Sequence, residues 1–224
     1  MKKKSLLLNN LERKYFEEIY QSLNNYPEWE MKNVFNEKTL EYKEFRIFPL
    51  KFYVRDKTTR LTISAHEAGH AIVMAATYGA VDKAVIDLVD HPEGWLGFVA
   101  SRQKDASDHP PIVQEGMPCK PAMKMDILID AAGFVGESLV GKMTGNYHEK
   151  FLVYCRCRYL DDQEGAAPLT NWVQYVEWCK RIILNNENLF WRITDDLLAH
   201  SEMTESIKKL LYSGIRKEPT VLFF

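Results

Sequence analysis

Residues 62–73 read TISAHEAGHAIV, with His66 and His70 four apart and Glu67 directly after the first. Side chains four apart on an α-helix stand one above the other on the same face. On a helix, then, both imidazoles can turn a nitrogen toward one ion. Zinc accepts such nitrogens at about 2.0–2.1 Å. Glu67 is rotated by about 100° from His66, so it borders the ion instead of ligating it. The spacing predicts a helix over residues 59–78. Thr59 or Thr62 can cap its start, and Gly79 stands where a C-terminal glycine belongs. Ala65, Ala68, Gly69, Ala71, Ala75 and Ala76 make it small-sided, so another element can approach closely. Its apolar flanks predict burial, where an unpaired charge is costly. A metal gives the three polar groups a partner.

The chemistry implied is hydrolysis. Zinc lowers the pKa of a bound water to about 7, making hydroxide available near neutral pH. Glu67 is placed to take the proton as general base and pass it to a leaving amine. His66 and His70 are the candidate metal ligands, and the candidate cofactor is zinc.

Outward from this helix, no internal repeat or low-complexity tract interrupts the 224 residues. Residues 5–24 read as an amphipathic helix with Leu8, Leu11, Tyr15, Ile19 and Leu23 at three- and four-residue steps. Residues 45–54, FRIFPLKFYV, read as an extended segment that Pro49 confines to an edge or bulge. Residues 1–57 are therefore set apart as an N-terminal extension, and 58–224 as a zinc-peptidase-like domain. Val85–Val89 and Trp95–Val99 flank DHPEG in a hairpin pattern. Residues 102–122 read as a loop, 122–143 as a helix, and 161–170 as irregular. Residues 151–160 fit strand or helix equally. Three further helices are expected over 171–184, 188–200 and 204–213. Trp172, Trp178 and Trp191 fall at helical spacing and are most simply core.

Composition bounds the alternatives. Hydrophobic residues make up 46% and charged residues 27%, with a net charge of -2. That balance is ordinary for a soluble globular chain and gives no footprint for nucleic acid or an anionic membrane. No stretch reaches the roughly 18 continuous apolar residues of a membrane span, and the apolar run after MKKK is too short for a signal-peptide core. The expectation is a soluble, cytoplasmic protein. Of Cys119, Cys155, Cys157 and Cys179, only the middle two are close, which is not zinc-ribbon spacing. Buried thiols are the simpler reading.

SAHEAGHAIV resembles the zinc helix of the FtsH-type ATP-dependent metalloproteases, whose peptidase domain carries HEAGHA. VIDLVDHPEGWLGFV is similar to that domain's strand pair. DAAGFVGESLVGK is similar to its L-A-G-R-A-A-E-E-L-V-F-G helix, with Ala132, Gly133, Glu137, Leu139 and Val140 matching. LNNENLFWRITDDLLAHSEMT resembles its late helix. The resemblance covers about residues 60–212. It implies a zincin-like helical domain with a small β-sheet beside the HEAGH helix, and zinc-dependent hydrolysis of a peptide or protein substrate. No G-x-x-x-x-G-K-[ST] loop is present, so an ATP-driven role on this chain is not implied. An ATPase partner or a homo-oligomer is left open.

The third ligand is where the pattern departs. The family uses an aspartate opening a helix, and Asn171 stands at the best-matching position. An amide oxygen binds zinc less well than a carboxylate. Asp162, nine residues earlier, is the leading candidate, followed by Asn171; Asp161, Glu149 and Glu137 are the others. Trp95 and Gly97 mark an edge strand that could take substrate by β-addition. His91 reads as a turn residue, and His109, His148 and His200 as isolated. The expected fold class is α+β, mostly helical. Two rival functions remain: a non-catalytic, peptidase-like interaction module, and a repressor-cleaving type of zinc protease with a glutamate third ligand.

Overall fold

The structure, a computed structural model, describes residues 8–24, 59–77, 79, 81–88, 95–100, 120–141 and 147–217. Helices α1 (Asn10–Asn24) and α2 (Arg60–Thr77) come first. Strands β1 (Lys83–Leu88) and β2 (Trp95–Ala100) follow. Helices α3 (Lys120–Leu139), α4 (Tyr147–Glu164), α5 (Thr170–Asn185), α6 (Glu187–His200) and α7 (Glu205–Gly214) complete the described chain. The fold is α+β and mostly helical, with a two-stranded antiparallel sheet beside α2.

Helix α2 is the central element, buried from Thr62 to Ala76. Its start is fixed by reciprocal bonds: the Thr62 amide donates to Thr59 Oγ1 at 3.1 Å, and the Thr59 amide to Thr62 Oγ1 at 2.9 Å. Its end is fixed by Gly79, which adopts φ +81° and donates its amide to the Met74 carbonyl at 3.1 Å. Its most extensive neighbour is α3. A methyl at Gly69 would sit 2.2 Å from the Ala132 carbonyl oxygen, and one at Gly136 would sit 2.4 Å from that of Ala65. The two backbones are therefore in direct contact, which only glycine at these points permits.

The sheet pairs Lys83 with Ala100 through to Leu88 with Trp95. The far edge of β1 is closed by residues after α6: Ile86 donates to the Ser201 carbonyl at 2.8 Å, and Met203 to that of Ala84 at 2.9 Å. Among the described residues, β2 has no partner on its other edge.

Several expectations change in detail. Helix α1 begins at Asn10, not residue 5, because Asn9 caps it. The Asn9 Oδ1 accepts from the amides of Leu11 and Glu12, and Glu12 returns a bond to the Asn9 amide. Of its expected stripe, Leu8 is buried and Ile19 packs against the core, but the middle is rotated outward. Leu11 is 81% exposed, whereas Phe16 and Tyr20 are buried. Those two rings join an aromatic cluster with Phe134, Tyr154 and Trp172. The Trp172 indole N–H also donates to the Phe16 carbonyl at 3.0 Å. Residues 151–160 are helical, and α4 runs on through Asp161 and Asp162 to Glu164. Helix α3 starts two residues before the expected 122. Trp172 is core, while Trp178 and Trp191 pack at its margin. The extended reading of 45–54 and most of the 102–122 loop lie outside the described residues.

Cys155, Cys157 and Cys179 are buried and free. Burial pushes all three thiols up from their ordinary range. They should therefore remain protonated and unreactive toward Ellman's reagent at pH 8 in the native protein, and react only once it is denatured. Rapid labelling of any of the three under native conditions would contradict this packing.

Candidate metal centre

Helix α2 places His66, Glu67 and His70 in the interior, all buried. Each imidazole is held by its Nδ1. His66 Nδ1 lies 2.6 Å from Glu137 Oε1 on α3, and His70 Nδ1 lies 2.8 Å from the Ile129 carbonyl oxygen on the same helix. A carbonyl only accepts, so His70 Nδ1 carries the proton. The Glu137 carboxylate likewise accepts a hydrogen bond from the His66 Nδ1–H. In the neutral rings both Nε2 atoms then present lone pairs. They face each other at 3.0 Å.

Glu149, in the first turn of α4, closes the arrangement. One of its oxygens is 3.1 Å from His66 Nε2 and the other 3.7 Å from His70 Nε2. The ligand atoms of His66, His70 and Glu149 all lie within 4.8 Å of one another. Two lone pairs and a carboxylate pointed at one space repel unless a proton or a metal cation stands between them. Two ligands at about 2.0–2.1 Å in a tetrahedron are about 3.3 Å apart, close to what is seen. Gly133 on α3 keeps the space open. A methyl there would sit 2.4 Å from His66 Nε2 and 2.6 Å from His70 Nε2. The residues present therefore fit a small divalent cation.

Electrostatics agree with a site built for positive charge. Burial alone would lower the His66 pKa, but Glu149 and Glu137 outweigh it and hold the ring well above its ordinary range. Burial would raise Glu149, yet His66 and His70 hold it well below. Glu67 is raised by burial, against the opposing pull of the two histidines. Among the described residues its Oε2 is buried without a hydrogen-bond partner. On its other side Gly97 of β2 presses close, since a methyl there would meet Glu67 Cγ and Oε1 at 2.6 Å. The strand thus packs directly against the Glu67 side chain.

Asp162 and Asn171 are placed elsewhere. Asp162 is exposed near the end of α4, thirteen residues and so about 20 Å along the helix from Glu149. One ion cannot hold both. Asn171 is buried, and its amide Nδ2 donates to Asp161 Oδ1 at 2.8 Å and Glu164 Oε2 at 3.2 Å. Asp161 Oδ1 also accepts the Asn171 backbone amide at 2.9 Å, so Asp161 caps α5. Glu137 stands behind His66 on the nitrogen facing away from the shared space. Of the candidate acids, Glu149 is the one brought to the pair. Gly97 faces Glu67; the side chains of Trp95 and His148 lie outside the described residues, as do His91 and His109. His200 is exposed, 3.9 Å from Asp196.

Among the described residues, no helix is long and apolar enough to cross a membrane. Compared with known proteins, the chain matches no family model, and no curated protein is significantly similar to it.

Proposed function

We propose that this protein is a zinc-dependent metallopeptidase in which His66, His70 and Glu149 hold the ion. The observation that carries the reading is the convergence of His66 Nε2, His70 Nε2 and the Glu149 carboxylate beside a buried, unpartnered Glu67 oxygen. When bound, zinc supplies a Lewis acid that polarises a carbonyl and makes water acidic. Glu137 and the Ile129 carbonyl fix the imidazole tautomers and orientations. Glu67 takes the proton of the attacking water at Oε2, a position its burial makes a stronger base, and delivers it to the amine that leaves. Gly97 holds Glu67 over the site and lets a backbone come close. The edge of β2 that is unpaired among the described residues offers an extended peptide hydrogen-bonding groups beside that carboxylate. The resemblance of HEAGHA and the α3 residues to FtsH-type peptidases supports the same reading. A glutamate third ligand is the feature shared with the repressor-cleaving alternative. Asn171, whose amide at the position of the family's aspartate would favour a non-catalytic module, has that amide engaged with Asp161 and Glu164. Three buried free thiols suit a reducing compartment, and the proposal sets the protein in the cytoplasm.

Zinc content of single variants tests the ligand set. After dialysis against a mild chelator, wild type, Asp162→Asn and Asn171→Ala should retain one zinc per chain. Glu149→Gln and His70→Ala should lose it. Loss on Asp162→Asn with retention on Glu149→Gln would reverse the assignment.

A further inference from the structure

Arg156 is buried on α4, its side chain 5% exposed, although it is a charged group outside the metal centre. Its Nη1 donates to Asp130 Oδ2, and its Nη2 lies 3.7 Å from Asp126 Oδ2, both on α3. Burying a guanidinium is unfavourable unless it is well paired, and here the pairing joins two helices. Arg156 is seven residues after Glu149. That separation is two helical turns, which returns the side chain to the same face about 10.5 Å along. On α3, Asp130 precedes Glu137 by the same seven residues. Glu137 and Glu149 flank one imidazole, that of His66, while Asp130 and Arg156 meet directly. The two helices are thus joined at two matched levels, one at the metal centre and one two turns away. Asp130 also adjoins Ile129, whose carbonyl orients His70.

We infer that Arg156 is a positioning residue for metal binding: its hydrogen bond to Asp130 and its ion pair with Asp126 set the register of α4 on α3 and so place the Glu149 carboxylate against His66 and His70. A slip of one residue would move Glu149 by about 1.5 Å and turn it by about 100°. Ligand distances tolerate about 0.2 Å, so the register must be fixed. The planar guanidinium can do this with one donor directed at Asp130 and its charge held beside Asp126, whereas a lysine ammonium is a point charge without that geometry. This inference rests on the proposed metal centre with Glu149 as a ligand.

The test is a double-mutant cycle on zinc affinity, measured by competition with chelators of graded strength. It compares wild type, Arg156→Met, Glu149→Gln and the double variant, each checked for native helicity by circular dichroism. Arg156→Lys serves in the same cycle if the methionine variant does not fold. The expected result is a loss of about 10- to 100-fold in zinc affinity on replacing Arg156 when Glu149 is present. In the Glu149→Gln background the same replacement should change affinity less than about threefold, because no carboxylate remains to be placed. An equal loss in both backgrounds assigns Arg156 to general packing and overturns the inference, as does no loss in either. Absence of zinc binding by wild type overturns the metal centre itself, and is distinguished from both by the first measurement of the cycle.

Discussion

Replacing Gly133 with alanine is expected to lower zinc affinity by at least about 100-fold while leaving the protein folded. The added methyl would occupy the space that His66 Nε2 and His70 Nε2 share, at 2.4 Å and 2.6 Å from them. Either the imidazoles swing away or α3 withdraws, and both moves carry ligands beyond the tolerance of about 0.2 Å. Folding should survive for a reason of scale. Alanine in place of a mid-helix glycine contributes roughly 1 kcal/mol of helix stability. Overpacking costs about 1–3 kcal/mol. The net loss is small beside the roughly 5–15 kcal/mol that holds a typical domain together. Circular dichroism and a zinc titration on the same sample separate the two effects. A variant that binds zinc as tightly as wild type would mean that the space beside Gly133 is not where the ion sits.

The second large effect belongs to Glu67. Glu67→Gln should keep zinc and lose about 10²–10⁴ in kcat/KM toward a peptide substrate. That range corresponds to about 3–5 kcal/mol of transition-state stabilisation. Glutamine has the same shape and fits beside Gly97, but its amide cannot accept the proton. Glu67 contributes no atom to the group formed by His66, His70 and Glu149, so metal content should not follow activity. Full hydrolysis by Glu67→Gln would remove Glu67 from the proposed chemistry.

The chain announces α2 and its surroundings openly. The caps at Thr59 and Gly79, the run of small residues and the four-residue spacing of the histidines are local signals, and local hydrogen bonds realise them. The strand pair is legible for the same reason: two short apolar runs flank a turn. Helix α4 was not legible. From Phe151 to Cys157 every residue is buried, Arg156 among them. A helix surrounded on all sides shows no periodic apolar stripe, so strand and helix readings compete evenly. The third ligand was hidden by that same element. With α4 unassigned, Asp162 stood in a stretch that reads as irregular before the helix expected over 171–184, and the register that lifts Glu149 to the histidines could not be counted. One signal was present in the sequence. Glu149 and Arg156 stand two turns apart on either side of the apolar run FLVYC, matching Asp130 and Glu137 on α3. The rotated face of α1 has a different cause. Leu11 and Tyr15 keep helical spacing, but Phe16 and Tyr20 reach the aromatic cluster around Trp172, a tertiary contact no local pattern encodes.

The most direct measurement is anomalous diffraction at the zinc absorption edge from crystals of the purified protein. The expected map has one strong peak between His66 Nε2, His70 Nε2 and the Glu149 carboxylate, with Glu67 beside it and Asp162 far from it. A peak ligated by another acid, or two histidine rings closed on each other in zinc-soaked crystals with no peak at all, would contradict the proposed centre.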